Sequence, residues 1–348
     1  MLEDFLKKHL DLGHHQHALN QIQMSIFFKI LLLLSLLSIN CSFSQAQSHF
    51  PQKPISLVVP YVTGGVSDAL ARALAQKISS SLSQQVLVEN RPGGNTLIGS
   101  VHVAKSAPDG YTLLLTAEST LTMNPMLYAK LPYDVEKNFT PIAALASIPQ
   151  SFVISPALPA KSLQEFINLA KKSPKQYSFA NLGVGSSAHL NFELFQRVTD
   201  MQLVDIAYKG ASAALTDLIG GHVSAMIVST GLVSAQARAN NLKVLAVAGN
   251  KRSSQLPDVP TFKELGFENF TPSSWFALMG VNGTPKDVIE KINLEVNKAL
   301  KDPVFKAEQL DRFALEPIGG SPEQLAHLIK SESQRWSNII KDMNIRLD

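Results

Sequence analysis

Apolar positions along the chain recur with two periods. A strand-like run, Ile55-Ser56-Leu57-Val58-Val59, stops at Pro60, and beyond a short turn Leu70, Ala71, Leu74 and Ile78 recur at the spacing that lays one helical face on a core. Residues 86–88 and 112–115 are short apolar runs of the kind buried between parallel strands, with a helical stretch predicted at 97–105 between them. Further strands are predicted at 178–180, 204–207, 225–228 and 244–247, each followed or preceded by a helical pattern. Such alternation predicts a doubly wound α/β architecture. Three helix starts carry capping chemistry: Ser162 with Glu165, Thr284 with Pro285 and Asp287, and Ser321 with Pro322 and Gln324. Each is predicted to set a side-chain oxygen on a free N–H, and two place proline at the first helical position. The last two helices are amphipathic and are expected to pack as a C-terminal lobe.

The N-terminus changes this picture. From Met24 the chain reads as an export signal, with Lys29 as a basic flank, residues 30–37 as the apolar core and Ser44-Gln45-Ala46 as a small-residue cleavage site. Cleavage is expected after Ala46. The apolar run falls well short of the roughly 20 residues that span a bilayer, and no later run reaches that length, so a stable membrane anchor is not expected. Residues 1–23 hold His9, His14, His15 and His17, but they precede a second start at Met24 and read as an over-extended, disordered beginning. The single cysteine, Cys41, lies inside the signal and is disfavoured as a lipidation site by Asn40 before it. A chain cut after Ala46 has no cysteine, which excludes disulfides, a thiol nucleophile and cysteine metal sites. Net charge is +3 and is spread without a basic block, so nucleic acid is not suggested as a partner.

Two stretches carry candidate chemistry. Residues 61–68, Tyr61-Val62-Thr63-Gly64-Gly65-Val66-Ser67-Asp68, join the first strand to its helix, and the glycine pair permits a turn that aims free helical N–H groups at an anion. An ordinary glycine-rich strand-to-helix turn is the plain alternative. Residues 177–189 repeat the arrangement, and a helix start with Ser186, Ser187 and His189 close by could donate several hydrogen bonds to one carboxylate. The plain alternative for His189 is a core histidine bonded to backbone. Residues 183–188 also match G-x-G-x-x-A with Asp205 near the spacing of a ribose-binding acid, which keeps a dinucleotide enzyme as an alternative. A serine hydrolase lacks its G-x-S-x-G elbow. Paired spacing for a metal is missing, His102, His222 and His327 being isolated, and neither a metal nor a cofactor is expected.

From Phe50 onward the chain resembles the periplasmic solute receptors of tripartite tricarboxylate transporters, the Bug or TctC-type family. The resemblance rests on ordered stretches: PQKPISLVVPY with Gly64, Gly65 and Asp68, VENRPGGNTLIG at 88–99, APDGYTLLL at 107–115, NPMLYAKLPYDVEKNFTPIA at 124–143, GVGSSAHL at 183–190, YKGASAALTDLIGGHV at 208–223, KRSSQLPDVPTFKELG at 251–266 and SSWFALMGVNGTP at 273–285. It implies the two-lobe, flytrap periplasmic-binding-protein fold, type II, with the ligand cleft between lobes. One lobe is expected at 47–146 plus 278–348 and the other at 147–277, with crossings near 146–152 and 275–279. The resemblance further implies non-catalytic capture of a small organic carboxylate by a monomer that delivers it to a TctA/TctB-like permease pair. A receptor feeding a membrane sensor is an alternative that shares the same binding physics. Carried onto this chain, the ligand loops are Tyr61, Thr63, Gly64, Gly65 and Asp68 in the first lobe, and Gly183, Ser186, Ser187 and His189 in the second. Ser119, Thr120, Tyr208, Lys209, Gly210, Ser229, Thr230 and Trp275 are further cleft candidates, many of them at strand ends where an open α/β sheet binds its ligand.

Three positions depart from the family pattern. Thr63 stands where proline usually precedes the glycine pair, and Ser224 follows Val223 where relatives often carry an acid. Glu118 stands where many relatives have a small residue; it either points to solvent or pairs with an amino group on the ligand. A β-branched residue at Gly65 is expected to weaken ligand affinity much more than folding.

Overall fold

The computed structural model describes Met24, Lys29 and residues 50–347 other than Val184, Asn269, Thr271 and Asn344. Apart from Met24 and Lys29, the export signal lies outside the described residues, as do the histidines before it. Residues 50–348 form one compact unit. Its main elements are β1 (Ile55–Val59), α1 (Val66–Leu82), β2 (Val86–Asn90), α2 (Leu97–Ala104), β3 (Thr112–Ala117), β4 (Phe139–Ile154), α3 (Leu163–Lys172), β5 (Ser178–Asn181), α4 (Ser187–Thr199), β6 (Val204–Ala207), α5 (Ala211–Gly220), β7 (Ala225–Ser229), α6 (Thr230–Arg238), β8 (Lys243–Val247), β9 (Ser273–Val281), α7 (Lys286–Lys301), β10 (Glu316–Gly319) and α8 (Pro322–Met343). A wide helical turn, Ser119–Met123, runs from the end of β3 into a short helix at Asn124–Leu127.

Two lobes share one long strand. In the first, β1 pairs in parallel with β2 and β3, and β9 runs antiparallel between β3 and β4. In the second, β5 pairs in parallel with β6 and β7, and β7 and β8 pair antiparallel with β4. β4 hands over at Pro149 and Gln150: Pro149 is in register with Ser273 of β9, and Gln150 with Ser229 of β7. Chain direction explains the shared strand, because crossing between two sheets without breaking the backbone ladder needs one continuous extended segment. The return crossing reaches the first sheet at Ser273, earlier than the 275–279 stretch expected.

Side chains separate the cores. Leu57, Leu70, Leu74, Ile78, Leu113 and Leu115 bury one face of the first sheet with Ile292 and Val296 of α7. The opposite face holds Val58, Leu114, Trp275, Ala277 and Met279 with Leu325 of α8. Phe152, Phe166, Phe179, Phe192 and Phe195 form the second lobe's core. A fourth cluster joins Met123 and Leu127 to Leu190 of α4 and to Trp336 and Ile340 of α8, so the C-terminal helix packs against both lobes.

The caps behave as their chemistry dictates in two cases of three. Ser162 accepts from the Glu165 N–H at 3.2 Å, and Ser321 and Gln324 cap each other reciprocally. Thr284 does not cap α7: its hydroxyl donates to the Val281 carbonyl at 2.7 Å, and the helix starts after Pro285 with no side-chain cap.

Candidate functional site

Burial by α1 and the β3 end turns Tyr61 inward. Its hydroxyl accepts from the Ala117 N–H at 2.9 Å and lies 3.4 Å from Thr116 Oγ1, and burial raises its phenol above the ordinary range. Tyr61 therefore props the end of β3. The loop beyond it is exposed at Thr63, Gly64 and Gly65. Only Gly64 needs glycine for its backbone, at φ +84°; Gly65 has φ −83° and ψ 175°, which any residue adopts. No side chain caps α1, so the N–H groups of Val66 and Ser67 have no acceptor among the described residues.

Asp68 shapes the loop from behind. Its carboxylate accepts from the Gly64 N–H at 2.9 Å and pairs with Arg72 at 3.0 Å, while Arg72 also donates to Asn90, whose amide holds the Tyr61 carbonyl. Burial alone would raise the Asp68 carboxyl, but the bonds from Arg72, Gly64 and Asn90 outweigh it and hold it below the usual range. Asp68 thus orders the loop through Oδ2. Asp68→Asn should cost about 1 kcal/mol of stability, read as a lower urea midpoint, because Arg72 is half exposed and can be resolvated. The stabilisation belongs to the ionised form, so it is present above the ordinary aspartate pKa and fades as pH falls through the depressed folded value.

A buried hydroxyl and amide network backs the same lobe. Thr120 Oγ1 lies 2.6 Å from Thr116 Oγ1 and 2.8 Å from Thr96 Oγ1, and Tyr133 donates to the Thr120 carbonyl at 2.7 Å. Asn124 bonds Asn95, Thr96 and Tyr133. Four successive residues, Gly93, Gly94, Asn95 and Thr96, have positive φ, Thr96 reaching +75°. For a β-branched residue that conformation is strained, and the network holds it there.

In the second lobe, Gly183 has φ +115°, and Ser186 caps α4 by accepting from the His189 N–H at 3.3 Å. The Ser187 and Ala188 N–H groups have no acceptor among the described residues. His189 is an internal brace: its Nδ1 accepts from the Gly185 N–H at 3.1 Å, and Nε2 lies 3.7 Å from Asp205 Oδ2. Asn181 completes the brace by donating to Asp205 at 2.7 Å and accepting from the Gly183 N–H at 2.9 Å. Asp205 is therefore engaged within the loop and is not presented to a ribose. Burial lowers the His189 pKa and Asp205 opposes that; the net shift is downward, and an Nδ1 that accepts a backbone bond requires the neutral ring. Below about pH 6.5 the unfolded chain takes a proton at this histidine that the folded chain refuses, so stability should fall with pH between the unfolded and the depressed folded value. His189→Asn keeps an acceptor and cannot titrate. Urea midpoints between pH 5 and 7.5 should therefore drop less in that variant than in the wild type.

The two loops meet. A Cβ on Gly185 would lie 3.0 Å from Leu127 Cδ1 and 3.2 Å from Asn95 Nδ2, and would also collide with Leu347, whose N–H donates to the Leu127 carbonyl at 2.7 Å. Ser187 Oγ is 3.3 Å from Ser274 Oγ of the first sheet. Ser119 and Thr120 lie buried at this junction. The Tyr208 hydroxyl instead donates to Asp217 at 2.7 Å, which pushes its phenol up to about 12, after burial as the leading cause. Lys209 is exposed, and Gly210 starts α5 without a side-chain cap. Thr230 bonds the Pro149 carbonyl and Ser151 and so fixes the handover of β4, whereas the buried Ser229 hydroxyl has no partner. Trp275 is buried in the first lobe with an unpartnered indole N–H. Glu118 is buried, which overturns the solvent-facing alternative, and burial holds its carboxyl well above the usual range. Ser224, in place of an acid, exchanges bonds with Ser178 of β5. Asn95, Thr96, Asn124, Asn181 and Leu347 were not singled out from sequence as site residues, although Asn95, Thr96 and Asn124 lie in stretches that carry the family resemblance and Asn181 in the 177–189 stretch. Among the described residues no group of three or more His, Cys, Asp or Glu is placed to hold a metal, and no helix is long and apolar enough to cross a membrane.

Comparison with known proteins agrees with this geometry. Residues 70–345 match the tripartite tricarboxylate transporter family receptor. Protein BugT of Bordetella pertussis is 37% identical over 302 residues, covering 86% of this chain and 91% of that protein. The structure of periplasmic binding protein BugD superposes with a TM-score of 0.78 at 31% identity, covering 85% of this chain and 99% of that one. Rpa4515 of R. palustris, solved with adipate, gives 0.80 at 30% identity over 85% and 99%. A match over most of the chain, in sequence and in three dimensions, makes this protein a member of the tripartite tricarboxylate transporter receptor family.

Proposed function

We propose that the protein captures a small organic carboxylate between the 61–68 and 183–189 loops and performs no chemistry on it. The observation that carries this reading is the pair of helix starts whose first N–H groups, at Val66 and Ser67 and at Ser187 and Ala188, have no acceptor among the described residues. A helix N-terminus with free N–H groups favours an anion, and two of them in one receptor suit an anionic ligand held by backbone dipoles. The adipate seen in the Rpa4515 structure is such an anion. Lobes dividing a few residues from 147 and 277 would close over it, the handover at Pro149 and Gln150 serving as one hinge strand. Export through the 24–46 signal would put the receptor in the periplasm as a monomer, where a TctA/TctB-like permease pair takes its cargo.

A thermal-shift panel of the chain from Gln47 tests this against citrate, malate, succinate, glutamate, aspartate and aromatic acids, with NAD as control. A carboxylate at 100 times its dissociation constant should add about 2.7 kcal/mol and raise the melting temperature. A rise with NAD alone would overturn the reading.

A further inference from the structure

Two buried polar residues at the lobe junction each carry an atom with no hydrogen-bond partner among the described residues. Ala117, the last residue of β3, is in register with Phe276 of β9, and Glu118 and Trp275 are the next residues outward on the two chains. Glu118 is 2% exposed and Trp275 5% exposed, and among the described residues neither Glu118 Oε1 nor Trp275 Nε1 has a hydrogen-bond partner. Buried polar atoms are nearly always satisfied, so two orphans on residues that follow one register pair of adjacent strands call for an occupant. They are chemically complementary, the indole N–H being a donor only and the carboxyl Oε1 an acceptor.

The second lobe's ligand loop covers them. Ser187 reaches Ser274, the neighbour of Trp275, and the Ser187 hydroxyl also acts on the Glu118 carboxyl. From α8, Glu332 and Arg335 face the same carboxyl, their opposite effects coming from a pair already bonded at 3.0 Å. A ligand group placed here must accept from the indole and donate to the carboxyl. Ser187 spends its hydrogen on Ser274 and can take a Glu118 proton on its oxygen, which leaves Oε1 the acceptor; a carboxylate cannot donate to it, and an ammonium cannot accept from the indole. A hydroxyl does both.

We propose that Glu118 and Trp275 read a hydroxyl on the captured carboxylate, so that the receptor selects hydroxy acids over their deoxy counterparts. The inference rests on the carboxylate reading of the two loops. Burial raises the Glu118 carboxyl well above the usual range, which favours its uncharged form beside a carboxylate bound at the neighbouring helix start.

The test is calorimetric titration of the chain from Gln47 with matched pairs, malate and succinate, citrate and tricarballylate, lactate and propionate, with aspartate beside the first. Wild type should prefer the hydroxylated member of the pair it binds by at least about tenfold, since a site built to bond a hydroxyl penalises its absence. Trp275→Phe and Glu118→Leu should bring the ratio close to one and leave the deoxy acid's affinity within about threefold of wild type. Glu118→Gln, which keeps an acceptor, should retain the preference. Glu118→Leu should also melt higher than wild type without ligand, because it removes an unpaired buried carboxyl. Equal binding of the two members, as a resident water would give, overturns the inference while leaving the carboxylate reading intact. So does a preference that survives both Trp275→Phe and Glu118→Leu, a preference for aspartate over malate, or a destabilised Glu118→Leu. Failure of every carboxylate to bind overturns both readings.

Discussion

Gly65→Val should bind the carboxylate at least about 100-fold more weakly than wild type, close to 2.7 kcal/mol, while its melting temperature moves by no more than about 2 °C. The two halves of that expectation have separate causes. Gly65 lies at φ −83° and ψ 175°, a region β-branched residues favour, and the nearest atom to an added Cβ is the Val62 carbonyl at 3.9 Å. Nothing in the fold opposes the substitution, and a stiffer unfolded chain offsets part of any cost. The isopropyl group would, however, stand in front of the uncapped start of α1, where Val66 and Ser67 offer their N–H groups. Titration calorimetry and a melting curve on the same preparation separate the effects. Wild-type affinity in a folded Gly65→Val protein would remove the 61–68 loop from the site.

A larger structural effect is expected from Gly231→Ala. Gly231 sits in the first turn of α6, and a Cβ there would collide with the Phe313 carbonyl group and approach its Cα to 2.6 Å. The obstacle is backbone, so no rotamer change relieves it. Phe313 ends the Asp311–Phe313 turn, which belongs to the C-terminal part of the first lobe, and Gln255 of the second lobe bonds the Asp311 carbonyl beside it. Alanine should therefore push α6 away from this turn at about 1–3 kcal/mol, the usual cost of overpacking. The loss falls on the contact between lobes, so affinity should drop roughly 10- to 100-fold with it. Small-angle scattering should show a larger radius of gyration with ligand present than wild type shows. An unchanged radius and affinity would mean that this contact plays no part in closure.

Short apolar runs and period-3.6 segments were readable from sequence, the runs because turn residues bound them closely and the helices because one face is buried. Strands 178–181, 204–207, 225–229 and 243–247 and the core face of α1 fall where their apolar spacing sets them. β4 was not readable as a strand. It is buried on both faces along most of its length, so it shows no alternation, and Pro141 and Pro149 read as breakers. Its ladder accommodates Pro141 beside a register shift and Pro149 at the handover between sheets, positions where a missing N–H is tolerated. β9 lost its signal for the same reason, being buried almost throughout.

The site was legible as two loops and not as a set of contacts. Gly64, Gly183, Ser186 and the first helical residues could be placed because turn and cap chemistry is local. Roles that depend on distant partners were not local: Asp68 is spent on Arg72 and Gly64, His189 on the Gly185 N–H, and Tyr208 on Asp217. Glu118 shows the limit most clearly. Next to a strand end a glutamate reads as a surface residue, and only the approach of α4 and α8 buries it.

The most direct measurement is a crystal structure of the chain from Gln47 with the tightest carboxylate of the panel. Its carboxylate oxygens are expected about 3 Å from the N–H groups of Val66 or Ser67 on one side and of Ser187 or Ala188 on the other, with the lobes closed over them. A carboxylate bound elsewhere, or one held by side-chain cations with both helix starts left to water, would contradict capture between the two loops.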